Sequence, residues 1–144
     1  MDKDPLDVDL ALERLGAALP LQLRSAAAYT IAAAKLTGFQ YLGLSELLWR
    51  FAEAELADAR RLAEKIVTIG GTPTDSVDGF GLPTEGAEIV SRLIELEREA
   101  IEALQDTIPA TGHTGESEAL EHRLEHTIMR KQEQVDTLIR AQRA

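Results

Sequence analysis

Three observations predict an all-α protein built as a four-helix bundle. Apolar residues recur at helical spacing through four long segments, and clusters of turn-forming residues separate those segments. Only six aromatic side chains accompany an apolar content of 44% and a charged content of 28%, a balance of Ala, Leu, Glu and Arg that suits packed helices better than sandwiches or barrels. At 144 residues the chain is long enough for one domain with a substantial core and too short for two, so a single domain over 1–144 is expected.

The first segment carries helical spacing from about Leu6 to Ala34, interrupted by Gly16 and Pro20. Proline lacks a backbone N–H and its ring crowds the preceding turn, so it belongs in a first helical turn or at a kink. This predicts either a short leading helix followed by α1 at about 20–37, or one bent helix. Gly38 to Gly43 form a turn, with Ser45 placed to cap α2, expected at about 45–69. Leu48, Phe51, Leu62, Ile66 and Ile69 mark its apolar stripe, and Gly70 and Gly71 end it.

A connection at 70–84, rich in Gly, Pro, Asp, Ser and Thr, shows neither helical nor strand period. Helix α3 follows at about 85–107, with Ile89, Leu93, Leu96, Ala100, Ile101 and Leu104 on one stripe. A short loop from Ile108 to Gly115 leads to α4 at about 116–142. Acids Glu116 and Glu118 lie in its first turn and Arg140 and Arg143 near its end, as the helix dipole favours.

Loop length constrains topology. A helix of about 25 residues is roughly 37 Å long, whereas about 13 extended residues reach about 43 Å, so the α2–α3 connection can cross the whole bundle. The other two loops cannot, and α1 and α2, like α3 and α4, therefore pair antiparallel, with one long crossover between the pairs.

Composition also excludes function classes. The formal net charge of −10, with Lys and Arg scattered among acids, leaves no basic face for nucleic acid. Without cysteine there is no disulfide, thiolate nucleophile or thiolate-held metal. Met1 to Pro5 lack an apolar signal core, and no run approaches the roughly 18 to 20 apolar residues of a membrane span, so a cytoplasmic protein without membrane attachment is expected.

Chemistry concentrates in α2. Glu55 and Asp58 are three residues apart and project side by side from one helical face, where they could approach one cation together. The stretch from Glu55 through Ala59-Arg60-Arg61-Leu62-Ala63-Glu64-Lys65-Ile66 to Gly70-Gly71-Thr72-Pro73 resembles the ferritin-like superfamily, and within it bacterioferritin and related small bacterial ferritins. In those proteins this helix carries Glu-x-x-His and ends in Gly-Gly-x-Pro. The resemblance is weaker along the other helices but spans most of the chain.

The resemblance implies an inner set of six positions. Tyr29 and Ser25 point back to Gln22 where the family has Glu, 33 residues before Glu55 as in the family. Glu97, with Ala100 and Leu104 behind it, matches the α3 ligand. Lys131-Gln132-Glu133-Gln134 matches the second Glu-x-x-His, placing Lys131 at the Glu and Gln134 at the His. Only Glu55 and Glu97 of the set Gln22, Glu55, Asp58, Glu97, Lys131 and Gln134 keep the family's ligand type. A di-iron centre takes about four carboxylates and two imidazoles. An ammonium has no lone pair to offer a metal, and Lys131 is instead expected to pair with Glu55 or Glu97.

Two functional readings follow. In the first, the chain has lost the ferroxidase centre and serves a structural, assembly or interaction role, as ferritin light subunits do in kind. In the alternative, it is an iron-binding, ferroxidase or iron-storage protein with a non-standard metal site at Glu55, Asp58 and Glu97. No cofactor is expected on the first reading; iron or another divalent metal is the candidate on the second. The family's haem ligand, a Met just after the α2 Glu, is replaced by Leu56. Glu118, His122, Glu125 and His126 form a secondary candidate metal cluster on α4, with ordinary solvated contacts as the simpler account. His113 lies in a Gly-rich loop without an evident role. Trp49, Phe51, Phe39 and Tyr41 are expected in the core or in a subunit contact. The resemblance and the Ala-rich helices imply a homo-oligomer.

Overall fold

The computed structural model describes residues 3–143, and four helices carry the fold: α1 Val8–Lys35, α2 Leu42–Thr68, α3 Gly86–Gln105 and α4 Gly115–Gln142. Single 3-10 turns, Phe39–Tyr41 and Ile108–Ala110, sit in the two short connections. Among the described residues there is no strand, and the architecture is a four-helix bundle with one long crossover.

Helix α1 begins at Val8, ahead of the expected start at about 20, and runs through Pro20 without a break. Asp7 caps it, its Oδ1 accepting from Leu10 N–H at 3.1 Å. The carbonyl that Pro20 deprives of its helical donor is that of Gly16, which is exposed, so water can take the donor's place. A buried stripe of Ala11, Leu15, Ala18 and Leu19 on either side of the glycine holds the first three turns down. The separate leading helix is thereby ruled out in favour of one continuous helix.

Helix α2 also starts early. Tyr41, not Ser45, is its N-terminal boundary, and the Ser45 hydroxyl donates to Ala33 O at 2.6 Å, tying α2 to α1. At the other end Gly70 has φ +98°, and the amides of Gly70 and Gly71 bond Val67 O and Ile66 O at 3.1 and 2.8 Å. This is the Schellman closure, which calls for glycine at the left-handed position. A side chain at Gly71 would lie 2.5 Å from Leu12 Cδ2, so the end of α2 packs tightly on the start of α1.

The crossover travels the bundle's length. It leaves beside Leu12 and arrives at Gly86, at the opposite end, where the Tyr41 hydroxyl lies over the glycine and would have to move to admit a side chain. Lys35 Nζ donates to Leu82 O and Pro83 O at 3.1 and 3.2 Å and anchors the arrival. The chain before α1 is also fixed: Asp7 N–H donates to Ala110 O at 2.9 Å and His113 N–H to Asp4 O at 2.7 Å.

Two apolar clusters fill the interior. One gathers Ala28, Tyr29, Leu48, Leu93, Leu96 and Val135; the other gathers Leu15, Leu19, Leu62, Ile66, Leu104 and Leu124. Tyr29 packs edge-on against Phe51, with ring centroids 5.5 Å apart. Phe39 is 90% exposed and Trp49 46%, so the aromatics near the α1–α2 turn divide between core and surface instead of forming one cluster. Between the two apolar clusters lies a polar layer.

Candidate functional site

Each helix contributes to that layer: Gln22 from α1, Glu55 and Asp58 from α2, Glu97 from α3, Lys131 and Gln134 from α4. None of the six is more than 4% exposed. The inward placement is a matter of helical period, since Gln22 follows Leu15 and Leu19, Glu55 follows Leu48 and Ala52, and Lys131 follows Leu124 and Thr127, all buried.

Lys131 is fully buried, and its Nζ lies 2.7 Å from Glu55 Oε2 and 2.8 Å from Glu97 Oε1. Gln134 Nε2 donates to the remaining oxygens, Glu55 Oε1 at 2.7 Å and Glu97 Oε2 at 2.9 Å. Gln22 Nε2 donates to Glu55 O at 2.9 Å and also to Glu55 Oε2. All four carboxylate oxygens of the two glutamates therefore have donors. Burying a carboxylate is tolerable only under such conditions, because an unpaired buried charge costs several kcal/mol or more.

Asp58 is held differently. The Arg130 guanidinium donates to Asp58 Oδ2 through Nε at 2.9 Å and through a second nitrogen, and Arg61 takes Oδ1 at 2.9 Å. Arg130 also donates to Gln134 Oε1 at 2.5 Å and lies 3.5 Å from Glu55 Oε2. It thus closes the network on the side where it reaches solvent. Sequence reasoning gave Arg61 and Arg130 no part in the site. Arg61 carries a readable signal, since it follows Asp58 by three residues on one helix. Arg130 is legible only after Lys131 has been placed inward.

Burial pushes the Glu55 carboxyl above the ordinary glutamate value, against the pull of Lys131, and the Glu97 charge adds to the rise. At Glu97 burial acts the same way, but Lys131, by charge and by hydrogen bond, outweighs it and holds this carboxyl below the ordinary value. Burial would lower the Lys131 pKa; Glu97 and Glu55 overcome it and keep the ammonium charged beyond the usual lysine range. Tyr29 is pushed well above the ordinary tyrosine value, by burial first and then by Glu97 and Glu55. Its hydroxyl and the Ser25 hydroxyl face Glu97 without reaching ordinary hydrogen-bond geometry, and Gln22 Oε1 is buried without a partner, all on one stripe of α1.

Among the described residues no three His, Cys, Asp or Glu side chains converge as a metal-holding group. Glu55, Asp58 and Glu97 share the layer, but their oxygens face ammonium, amide and guanidinium groups. His122 and His126 line one shallow depression with Ala119 and Arg123. Glu118 and Glu125 are exposed beside them, so the four stand on a solvated face of α4. Leu56 is 59% exposed on the outer side of α2, and His113 lies at the surface, 3.4 Å from Asp4 Oδ2.

Fold and layer together define a carboxylate-containing helical bundle of the ferritin type. Residues 12–142 match the ferritin family, described as the ferritin-like domain, and the chain belongs to that family. No curated protein matches its sequence. Among solved structures it is similar to a ferritin-like, diiron-carboxylate protein from Bacillus anthracis str. Ames, with 24% identity, a TM-score of 0.87, and coverage of 94% of this chain and 97% of that one. It is also similar to Rhodobacter capsulatus bacterioferritin, at 16% identity and a TM-score of 0.82, over 99% of this chain and 86% of that one. BfrA from M. tuberculosis gives 16% identity and a TM-score of 0.79 over 89% and 80%. Among the described residues no helix is long and apolar enough to cross a membrane.

Proposed function

We propose that this chain is a structural, assembly-forming member of the ferritin-like family in which an ion-paired layer stands where a di-iron ferroxidase centre would be. One observation carries the reading: the fully buried Lys131 ammonium lies between Glu55 and Glu97 and takes one oxygen of each. A pair of iron ions needs several carboxylate oxygens and imidazole nitrogens free to donate. This layer has no imidazole, and its amide and ammonium protons already occupy both glutamates. The residues present do not fit two irons, and no oxidation step is assigned to them. The alternative, a resident metal on Glu55, Asp58 and Glu97, would require displacing Lys131 and two guanidinium groups from those oxygens.

The assembly role rests on the outer α1–α2 face. Two apolar grooves lie there and share Leu23 and Leu56; Glu53 rims one and Arg60 the other. Trp49, Leu56 and Val77 are large apolar side chains left about half exposed on this face. Two copies related by a two-fold axis near Leu56 would set the Glu53 rim of each against the Arg60 rim of the other, the self-complementarity that an isologous contact requires. We assign this assembly to the cytoplasm.

Anaerobic addition of Fe(II) followed by oxygen, monitored by near-ultraviolet absorbance, tests the reading. Oxidation at the rate of buffer alone is expected, and rapid stoichiometric oxidation would refute it. Leu56→Asp is expected to shift the molecular mass by light scattering toward the monomer, and a wild-type chain that is itself monomeric would remove the assembly role.

A further inference from the structure

The layer is balanced in charge. Glu55, Asp58 and Glu97 supply three negative charges, and Lys131, Arg130 and Arg61 supply three positive ones within ion-pair distance of them. A divalent cation entering beside them would bring two charges with nothing to offset them, in surroundings where an uncompensated charge is costly. Lys131 alone touches both glutamates with a formal charge, whereas Gln134 touches both with a neutral amide.

An oxygen is also left over. Gln22 Oε1 is buried and accepts from nothing, although the same amide's nitrogen donates to Glu55. Carboxylate and amide oxygens are the donors that hard divalent cations prefer.

We infer that Lys131 is the residue that keeps divalent cations out of this layer, and that Glu55 and Glu97 form a latent oxygen-donor site for one hard divalent cation, opened when Lys131 is removed and completed when the Gln22 amide, whose nitrogen faces Glu55, turns its free oxygen toward the vacated space. This rests on the reading of the layer as ion-paired and goes further by assigning the exclusion to one side chain. Lys131→Ala would leave the layer one positive charge short and vacate the space between two carboxylates. A proton would compete for that space, so the cation's advantage grows in mildly alkaline buffer.

The probe is Mn(II), followed by thermal unfolding and by the loss of its free-ion electron paramagnetic resonance signal. The wild type is expected to leave the signal unchanged and to unfold at the same temperature in EDTA and in millimolar Mn(II). Lys131→Ala is expected to quench about one equivalent of the signal and to gain about 5 °C or more with the metal. Lys131→Glu, which adds a third carboxylate to the pair, is expected to fold only with Mn(II) present, by circular dichroism. Either variant indifferent to Mn(II), or unfolded even with it, overturns the inference; Lys131→Glu is the sharper case, because its layer carries four negative and two positive charges and one divalent cation balances it. Rapid iron oxidation by the wild type would instead defeat the proposed function and would leave the variant result to be read on its own.

Discussion

Lys131 on α4 and Glu97 on α3 form a salt bridge of 2.8 Å between side chains that are 0% and 1% exposed. The pair joins two helices at the level where the apolar core is interrupted, and each partner is what makes burial of the other tolerable. Lys131→Met should destabilise the chain by about 3–5 kcal/mol, since it leaves two buried carboxylates sharing the remaining amide donors. Lys131→Met combined with Glu97→Gln should recover part of that loss. In a urea-unfolding cycle the two changes should couple by about 1 kcal/mol or more, and additivity within about 0.5 kcal/mol would show that they do not act as a pair.

Arg130 and Arg61 both hold Asp58, but from different surroundings. Arg130 is 21% exposed and reaches Asp58, Gln134 and Glu55, whereas Arg61 is 50% exposed and reaches Asp58 alone. Arg130→Ala should therefore cost about 2–3 kcal/mol, as a charge-assisted network loses its closing donor. Arg61→Ala should cost less than about 1 kcal/mol, as exposed ion pairs do. Equal costs in chemical denaturation would contradict the assignment of Arg130 to the site.

Alkaline stability has a definite sign. Tyr29 and Lys131 have folded pKa values above their ordinary ones, so each contributes stability that is fully present below its unfolded value, near pH 10, and is lost as pH rises through the folded value. Above about pH 10 each should make unfolding easier by about 1.4 kcal/mol per pH unit. Tyr29→Phe removes one of these protons together with a buried hydroxyl that faces Glu97 without ordinary hydrogen-bond geometry. It should unfold at neutral pH no more easily than the wild type and should show a shallower alkaline loss. A variant much less stable at neutral pH would mean that the hydroxyl is hydrogen-bonded.

At acid pH the two glutamates oppose each other. Glu97, held low, contributes stability present above its unfolded value and lost as pH falls through its folded one; Glu55, held high, contributes in the reverse sense. Glu97→Gln should thus flatten the acid limb of a stability–pH curve, and Glu55→Gln should steepen it. Identical limbs for the two variants would contradict the asymmetry.

The six polar positions were legible because two periods agree: helical spacing places each beside buried apolar neighbours, and the resemblance in α2 supplies the separations between helices. Arg130 was not legible, because adjacent helical residues point about 100° apart and an inward Lys131 gives no sign that its neighbour's arm bends back to Asp58. The distance between α2 and α4 decides that, and it is tertiary information. Pro20 misled for a local reason: the clash it should cause falls on Gly16, whose exposed carbonyl can be hydrated. Ser45 misled as well, since its hydroxyl is used between helices and not at a helix start.

The most direct measurement is anomalous diffraction at the iron and manganese edges from crystals grown with both metals in excess. The account predicts continuous density for Lys131 ending between Glu55 and Glu97, and no anomalous peak in the layer. A peak bonded to Glu55, Asp58 or Glu97, with Lys131 turned away from them, would contradict it.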